Sequence, residues 1–221
     1  MKRFLTIALA AILTILLCGC NKSADYYRFV SQERRDILVG ESETYAVKCY
    51  LELREKPFKS DGKKQETSFA VIVKLTIKSG ADGIVSGAKV SFKTDKEYSA
   101  LFTFHRESDD YVATSYVNAL PEKELLLSVT AGDKTETINA VSVSKDFTFD
   151  PQKALGFAVS KTEGAYEDYA ESGNLEINVR MIYGEKIFYY VGIITEDKTD
   201  AFLIDSDCKT LIARKTLTRG R

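Results

Sequence analysis

The chain has 221 residues, with 31 Lys and Arg against 32 Asp and Glu, and one histidine. That length supports one large or two small domains. The balanced charge offers no general polyanion-binding surface and argues against nucleic acid as a partner, and one histidine excludes HExxH zinc sites and multi-histidine metal cages.

Met1, Lys2 and Arg3 precede an apolar run from Phe4 to Leu17 that only Thr6 and Thr14 interrupt. A positive start followed by about 14 apolar residues is the layout of a secretory signal. As a helix the run would span about 21 Å, short of the ~30 Å hydrocarbon core, so cleavage is expected rather than retention as an anchor. Signals of soluble proteins end in small residues resembling A-x-A, whereas this one ends LLCGCNKS. With Leu17 three residues before Cys20 and Gly19 directly before it, the ending resembles the lipobox of bacterial lipoproteins. The resemblance covers about the first twenty residues. It implies cleavage after Gly19, a diacylglycerol on the Cys20 sulfur, and Cys20 as the mature N-terminus. Cys18 follows Leu17 rather than a small residue and departs with the signal. Two or more acyl chains, at about 0.8 kcal/mol per buried methylene, suffice for stable anchoring. The resemblance thus implies a lipid-anchored protein on the extracytoplasmic face of a cell membrane, with the bilayer as partner through its N-terminal acyl chains.

Loss of Lys2 and Arg3 with the signal leaves a net charge of about −3. The organisation expected is a signal over residues 1–19, a short tether over 20–28, a β-sandwich over 29–145 and a small α+β module over 146–221. The eight residues that follow Cys20 in this tether reach at most ~28 Å, so the folded body would ride close to the membrane.

From about residue 35 the apolar residues recur with period two. TYAVKCYLELRE and SFAVIVKLTIK each offer one apolar face, and KPFKSDGKK between them carries Pro57 and Asp61-Gly62, a turn signal for a hairpin. AKVSFKT, SALFTFHR, DYVATSYV, KELLLSVTA and TETINAVSV follow at short intervals. Short strands so spaced predict an antiparallel sandwich. GAKVSF, DDYVATSYV and LPEKELLLSV in succession resemble the immunoglobulin-like modules of exported bacterial proteins, although the inter-sheet cysteine pair and buried Trp of that fold are absent.

FDPQKAL offers Asp150 as N-cap and Pro151 at the first helical position. Gly156 and Gly164 limit the expected helix to a short or broken stretch before Gly173. NLEINVRMIY, KIFYYVGIIT, DAFLID and TLIAR then predict an antiparallel meander. The fold class expected is therefore mainly β: an immunoglobulin-like sandwich followed by a short helix with a meander. YYVGIITEDKTDAFLIDSDCKTLIA, through Tyr190, Val191, Leu203, Ile204, Asp205, Leu211 and Ile212, resembles the closing hairpin of PepSY-type modules, with Asp207-Cys208-Lys209 replacing the usual glycine turn. That resemblance implies a binding or regulatory module associated with restraint of peptidases.

Cys49 and Cys208 leave two alternatives open. A disulfide would close a loop of about 160 residues and stabilise by roughly 5 kcal/mol; two isolated thiols suit the mid-strand position of Cys49 and the turn position of Cys208. His105 has no nucleophile elbow beside it and reads as a strand-end residue. Carboxylates at Glu107, Asp109 and Asp110, at Glu196, Asp197 and Asp200, and at Asp205 and Asp207 read as solvated turn formers; no calcium loop appears among them, and calcium at Asp205 and Asp207 is the alternative. No catalytic residue, metal ligand set or cofactor is expected. In Phe188-Tyr189-Tyr190, alternation sends at least one ring to each face of its strand, and an outward ring is a recognition candidate. The tail carries Arg214, Lys215, Arg219 and Arg221, candidates for contact with anionic headgroups at up to ~1 kcal/mol each. The function expected is a non-enzymatic interaction or accessory module of the cell envelope, with an envelope protein as partner. The alternative is capture of a peptide or glycan, with restraint of a peptidase; an envelope hydrolase is disfavoured by the missing catalytic set.

Overall fold

Alternation of apolar and polar residues organises most of the chain in the computed structural model, which describes residues 26–78, 85–106, 109–144 and 147–218. The strands are β1 (Val30–Glu41), β2 (Tyr45–Glu55), β3 (Thr67–Ile77), β4 (Lys89–Lys93), β5 (Glu97–Leu101), β6 (Thr103–His105), β7 (Asp110–Val117), β8 (Glu124–Ala131) and β9 (Lys134–Ser142). Helices α1 (Pro151–Ser160) and α2 (Glu167–Ser172) come next, followed by β10 (Glu176–Tyr183), β11 (Ile187–Ile194), β12 (Lys198–Asp205) and β13 (Leu211–Thr218). None of the described helices is long and apolar enough to cross a membrane.

The fold is mainly β: an antiparallel sandwich nearly closed into a barrel, then a small α+β layer. One sheet runs β13-β12-β11-β10-β1-β2-β3-β7-β6, and a second row, β5-β4-β8-β9, returns to β1 through β9. β2 and β3 form the expected hairpin, paired from Tyr45↔Ile77 to Glu55↔Thr67. SALFTFHR is two strands rather than one. Phe102 turns inward and its N–H donates to Ala88 O (2.9 Å), so β5 pairs with β4 while β6 pairs with β7. A chain that switches sheets at one residue makes the corner of a sandwich.

The sequence pattern did not mark β1 as a strand, yet β1 is the hinge of the architecture. Its first half lies parallel to β10, from Val30↔Ile177 to Arg34↔Arg180, and its second half lies antiparallel to β9 at Leu38↔Ser142 and Val39↔Val141. β2 runs along its other side. Bulges between Val30 and Gln32 and between Arg34 and Asp36 let one strand serve both halves. At the β9 end Gly40 permits the close approach, since a Cβ there would lie 2.6 Å from Asn139 O.

Two apolar cores result. Inside the sandwich Val47, Cys49 and Leu51 of β2 meet Val71, Val73 and Leu75 of β3, Val90 of β4, Leu127 of β8 and Ile138 of β9. The second core packs Ala154, Leu155, Ala158 and Val159 of α1 against Ile177, Val179, Val191, Ile193, Phe202 and Ile204, and it recruits Tyr26, Phe29 and Val30 from the start of the described chain. Each fully buried Leu, Ile or Val contributes about 1.5–3 kcal/mol. α1 starts as its sequence predicts, with the Asp150 carboxylate accepting from Lys153 N (3.0 Å) and Pro151 in its first turn, and α2 ends on left-handed Gly173.

Candidate functional site

The sheet that carries both cores has an opposite, outer face, and the register fixes which residues share it. Arg34 of β1 stands across from Glu52 of β2 and from Arg180 of β10, Gln32 stands across from Arg54, and Arg180 stands across from Tyr190 of β11. Their chain neighbours Leu51, Leu53 and Val179 point the other way. Glu52, with 0% of its side chain exposed, is the hub. It accepts from Gln32 Nε2 (2.6 Å) and Arg34 Nε (2.7 Å), and Arg54 Nη1 lies 3.6 Å away. Gln32 Oε1 in turn accepts from Arg180 Nε (2.6 Å). Asn178, with its amide oxygen turned to Arg180 Nη2 (3.2 Å), donates to Ser31 Oγ (2.9 Å).

Aromatic rings stack on these cations. The guanidinium of Arg34 lies 3.9 Å from the centre of the Tyr50 ring, that of Arg54 lies 4.1 Å from Phe58, and that of Arg180 lies 5.3 Å from Tyr190. Stacking of this kind is worth about 0.5–2 kcal/mol per pair and uses the faces of the guanidinium, leaving its in-plane N–H groups for acceptors. Burial, and then the adjacent charge of Arg34, pull the Arg180 guanidinium below its usual range. Burial does the same to Arg54, against the opposing attraction of Glu52. Beyond Tyr50 the face opens into a groove of about 550 Å³, lined by Val39, Ala46, Lys48, Lys74, Thr76 and Asp110, where Lys74 Nζ donates to Asp110 (2.7 Å).

The β2–β3 loop, residues 56–66, straps one end of the row. Gly62 N donates to Glu176 Oε2 (3.0 Å), and Gln65 N donates to Glu55. Both carboxyl groups are buried, and burial raises the pKa of each.

The residues singled out by sequence fall in different places. Cys20 and Gly19, with the rest of the signal, and Arg219 and Arg221 of the tail lie outside the described residues. Cys49 and Cys208 are free thiols; one sits in the sandwich core and the other in the helix-packed core, so the alternative of a disulfide gives way to two isolated thiols. Burial raises Cys49 to about 12 and Cys208 to about 11. Tyr189 is a core residue at 1% exposure; its hydroxyl accepts from Asp150 N (2.7 Å) and its ring lies 5.5 Å from those of Phe147 and Phe149. Phe188 and Tyr190 share the outer face and are half-buried, and Tyr190 joins the arginine row. Arg214 is committed to the protein, 3.4 Å from Asp200 and donating to Lys161 O (3.1 Å), while Lys215 is exposed on β13.

Asp200 departs from the solvated turn former expected of it. It is buried inside β12 and accepts from the hydroxyls of Tyr166 and Thr216. Burial alone would raise it, but those bonds and the charges of Lys198 and Arg214 hold it below the usual carboxylate range. Asp205 and Asp207 are turn residues, accepting from Ser206 N (2.6 Å) and Lys209 N (2.9 Å). Among the described residues no three His, Cys, Asp or Glu side chains gather as a metal site.

Sequence reasoning missed Arg34, Glu52, Arg54 and Arg180 as a group. Arg180 was the available signal, a single charge inside the otherwise apolar EINVRMIY. Fold and site together define a two-core, mainly β protein with a cation-rich outer face. Comparison with family models, with curated proteins and with solved structures yields no match.

Proposed function

We propose that the protein is a lipid-anchored component of the cell envelope, held on the extracytoplasmic face through acyl chains on Cys20, that acts as a non-enzymatic interaction module. The observation that carries the interaction half is the outer face, where Arg34, Arg54 and Arg180 stack on aromatic rings beside an open groove. Clustered arginine and tyrosine are the residue types that dominate recognition surfaces. The anchored half is supported by Leu17-Cys18-Gly19-Cys20 behind an apolar run too short to span a bilayer.

Capture of a peptide or glycan, with restraint of a peptidase, is a second reading. It draws on the groove beside Tyr50, which has the size of a small-ligand cleft. Crosslinking of the tethered protein in cells, with partners identified by mass, tests the interaction role. A Lys48→Glu, Thr76→Glu variant changes the groove without touching either core, and it is expected to lose the partners that the wild type retains. An identical set of partners from both proteins would reject this face as the docking surface.

A further inference from the structure

We propose that the guanidinium cluster of Arg34, Arg54 and Arg180 binds a phosphate group, either free phosphate or the phosphate monoester of a larger ligand; this rests on the reading of the outer face as the recognition surface. Three features carry the assignment: charge, an unmet donor and geometry.

Two guanidiniums lie against the Glu52 carboxylate and a third, that of Arg180, is linked to it through Gln32, so the patch holds two positive charges in excess. Arg34 and Arg180 are direct cross-strand neighbours, an arrangement that like charge makes unfavourable. The side chains of Arg34 and Arg54 are only 15% exposed, so water screens little of that repulsion. A phosphate monoester carries about −1.5 to −2 at neutral pH and matches the excess. A single carboxylate would leave one cation uncompensated.

Arg54 Nε is buried and has no hydrogen-bond partner among the described residues. Buried donors in native structures are nearly always satisfied; this one is closed to solvent, so an acceptor from outside reaches it only as the Phe58 ring stacked on the same guanidinium gives way. The rings of Tyr50, Phe58 and Tyr190 occupy guanidinium faces, which leaves N–H edges of the kind that pair with phosphate oxygens in forked geometry. The adjoining groove gives an esterified phosphate room for its organic group.

The test uses the full-length protein in non-ionic detergent, titrated calorimetrically with inorganic phosphate at constant ionic strength. Saturable binding is expected for the wild type. Arg54→Gln should weaken it by about tenfold or more, since a charge-assisted pair is lost, and Arg54→Lys should keep part of it. Glycerol phosphate, a monoester, should bind at least as well as inorganic phosphate. Glycerophosphoglycerol, the diester headgroup of an anionic phospholipid, should bind more weakly, and equal or tighter binding of it would overturn the monoester assignment. No saturable binding to the wild type would overturn the proposal even if Arg54→Gln failed to fold. Retention of partners by crosslinking together with absence of phosphate binding would reject the ligand and leave the interaction face standing.

Discussion

Glu52 is the single negative charge among three guanidiniums, and its replacement by Gln isolates what that charge does. Gln has nearly the same volume, so packing changes little, and its one amide oxygen can still accept from either Gln32 or Arg34 but not from both. What is lost is the counter-charge for Arg34, at 2.7 Å, and for Arg54, at 3.6 Å. Breaking a buried ion pair by removing one partner costs about 3–5 kcal/mol. The one acceptor that Gln retains favours the low end, about 3 kcal/mol. For a folded body of this size, that corresponds to a fall in Tm of roughly 6–12 °C. Urea unfolding should show a lower midpoint with an unchanged slope. Adding Arg54→Gln to the Glu52→Gln background should recover part of the loss, because one uncompensated cation leaves with it. A Glu52→Gln protein within about 0.5 kcal/mol of the wild type would refute the hub role, since that is the size of an ordinary surface substitution.

Other outcomes follow from the same packing. Cys49 and Cys208, with thiols raised by burial to about 12 and 11, should resist iodoacetamide at pH 8 in the folded protein and react in urea without reductant; a mass two hydrogens lower before reduction would reveal a disulfide instead. Glu55 and Glu176 are raised by burial, so the folded state takes up their protons more readily than the unfolded chain. Their ionisation costs stability as pH rises through the unfolded value near 4.5 and the higher folded value, and that cost is fully present once both are ionised. Glu55→Gln with Glu176→Gln should therefore flatten the change in Tm between pH 7 and pH 5, and an unaltered profile would contradict the assignment. Gly62 has φ +87°, and a Cβ there would lie 2.9 Å from Thr195 C and 3.0 Å from Glu196 N. Gly62→Ala should cost more than about 1 kcal/mol and expose residues 56–66 to limited proteolysis, whereas wild-type resistance would show that the strap tolerates the added methyl group.

Period-two patterning made β2, β3 and the β10 to β12 part of the meander legible, because each of those strands sets apolar side chains into a core, whereas β13 touches it only through Leu211. Asp150 and Pro151 marked the start of α1 for an equally local reason. β1 escaped because its middle, QERRD, reads as a polar loop. There the strand runs between the two cores, its partners are side chains of β2 and β10, and two bulges break the alternation that a period count relies on. The arginine row was hidden for the same reason. Glu52 and Arg54 look like an ordinary solvent face of β2 until Arg34 and Arg180 arrive beside them from distant parts of the chain. The pairing state of Cys49 and Cys208 was equally invisible, since it depends on which core each thiol enters. The role of Asp200 depends on Tyr166 and Thr216 reaching it from two other elements.

The proposed envelope role depends most on the N-terminus, and the mass of the mature protein extracted from membranes tests it directly. A chain that begins at Cys20 and carries the added mass of a diacylglycerol is the expected result. Protein recovered from the cytosol with an unmodified Met1 would contradict the anchoring and the extracytoplasmic roles built on it.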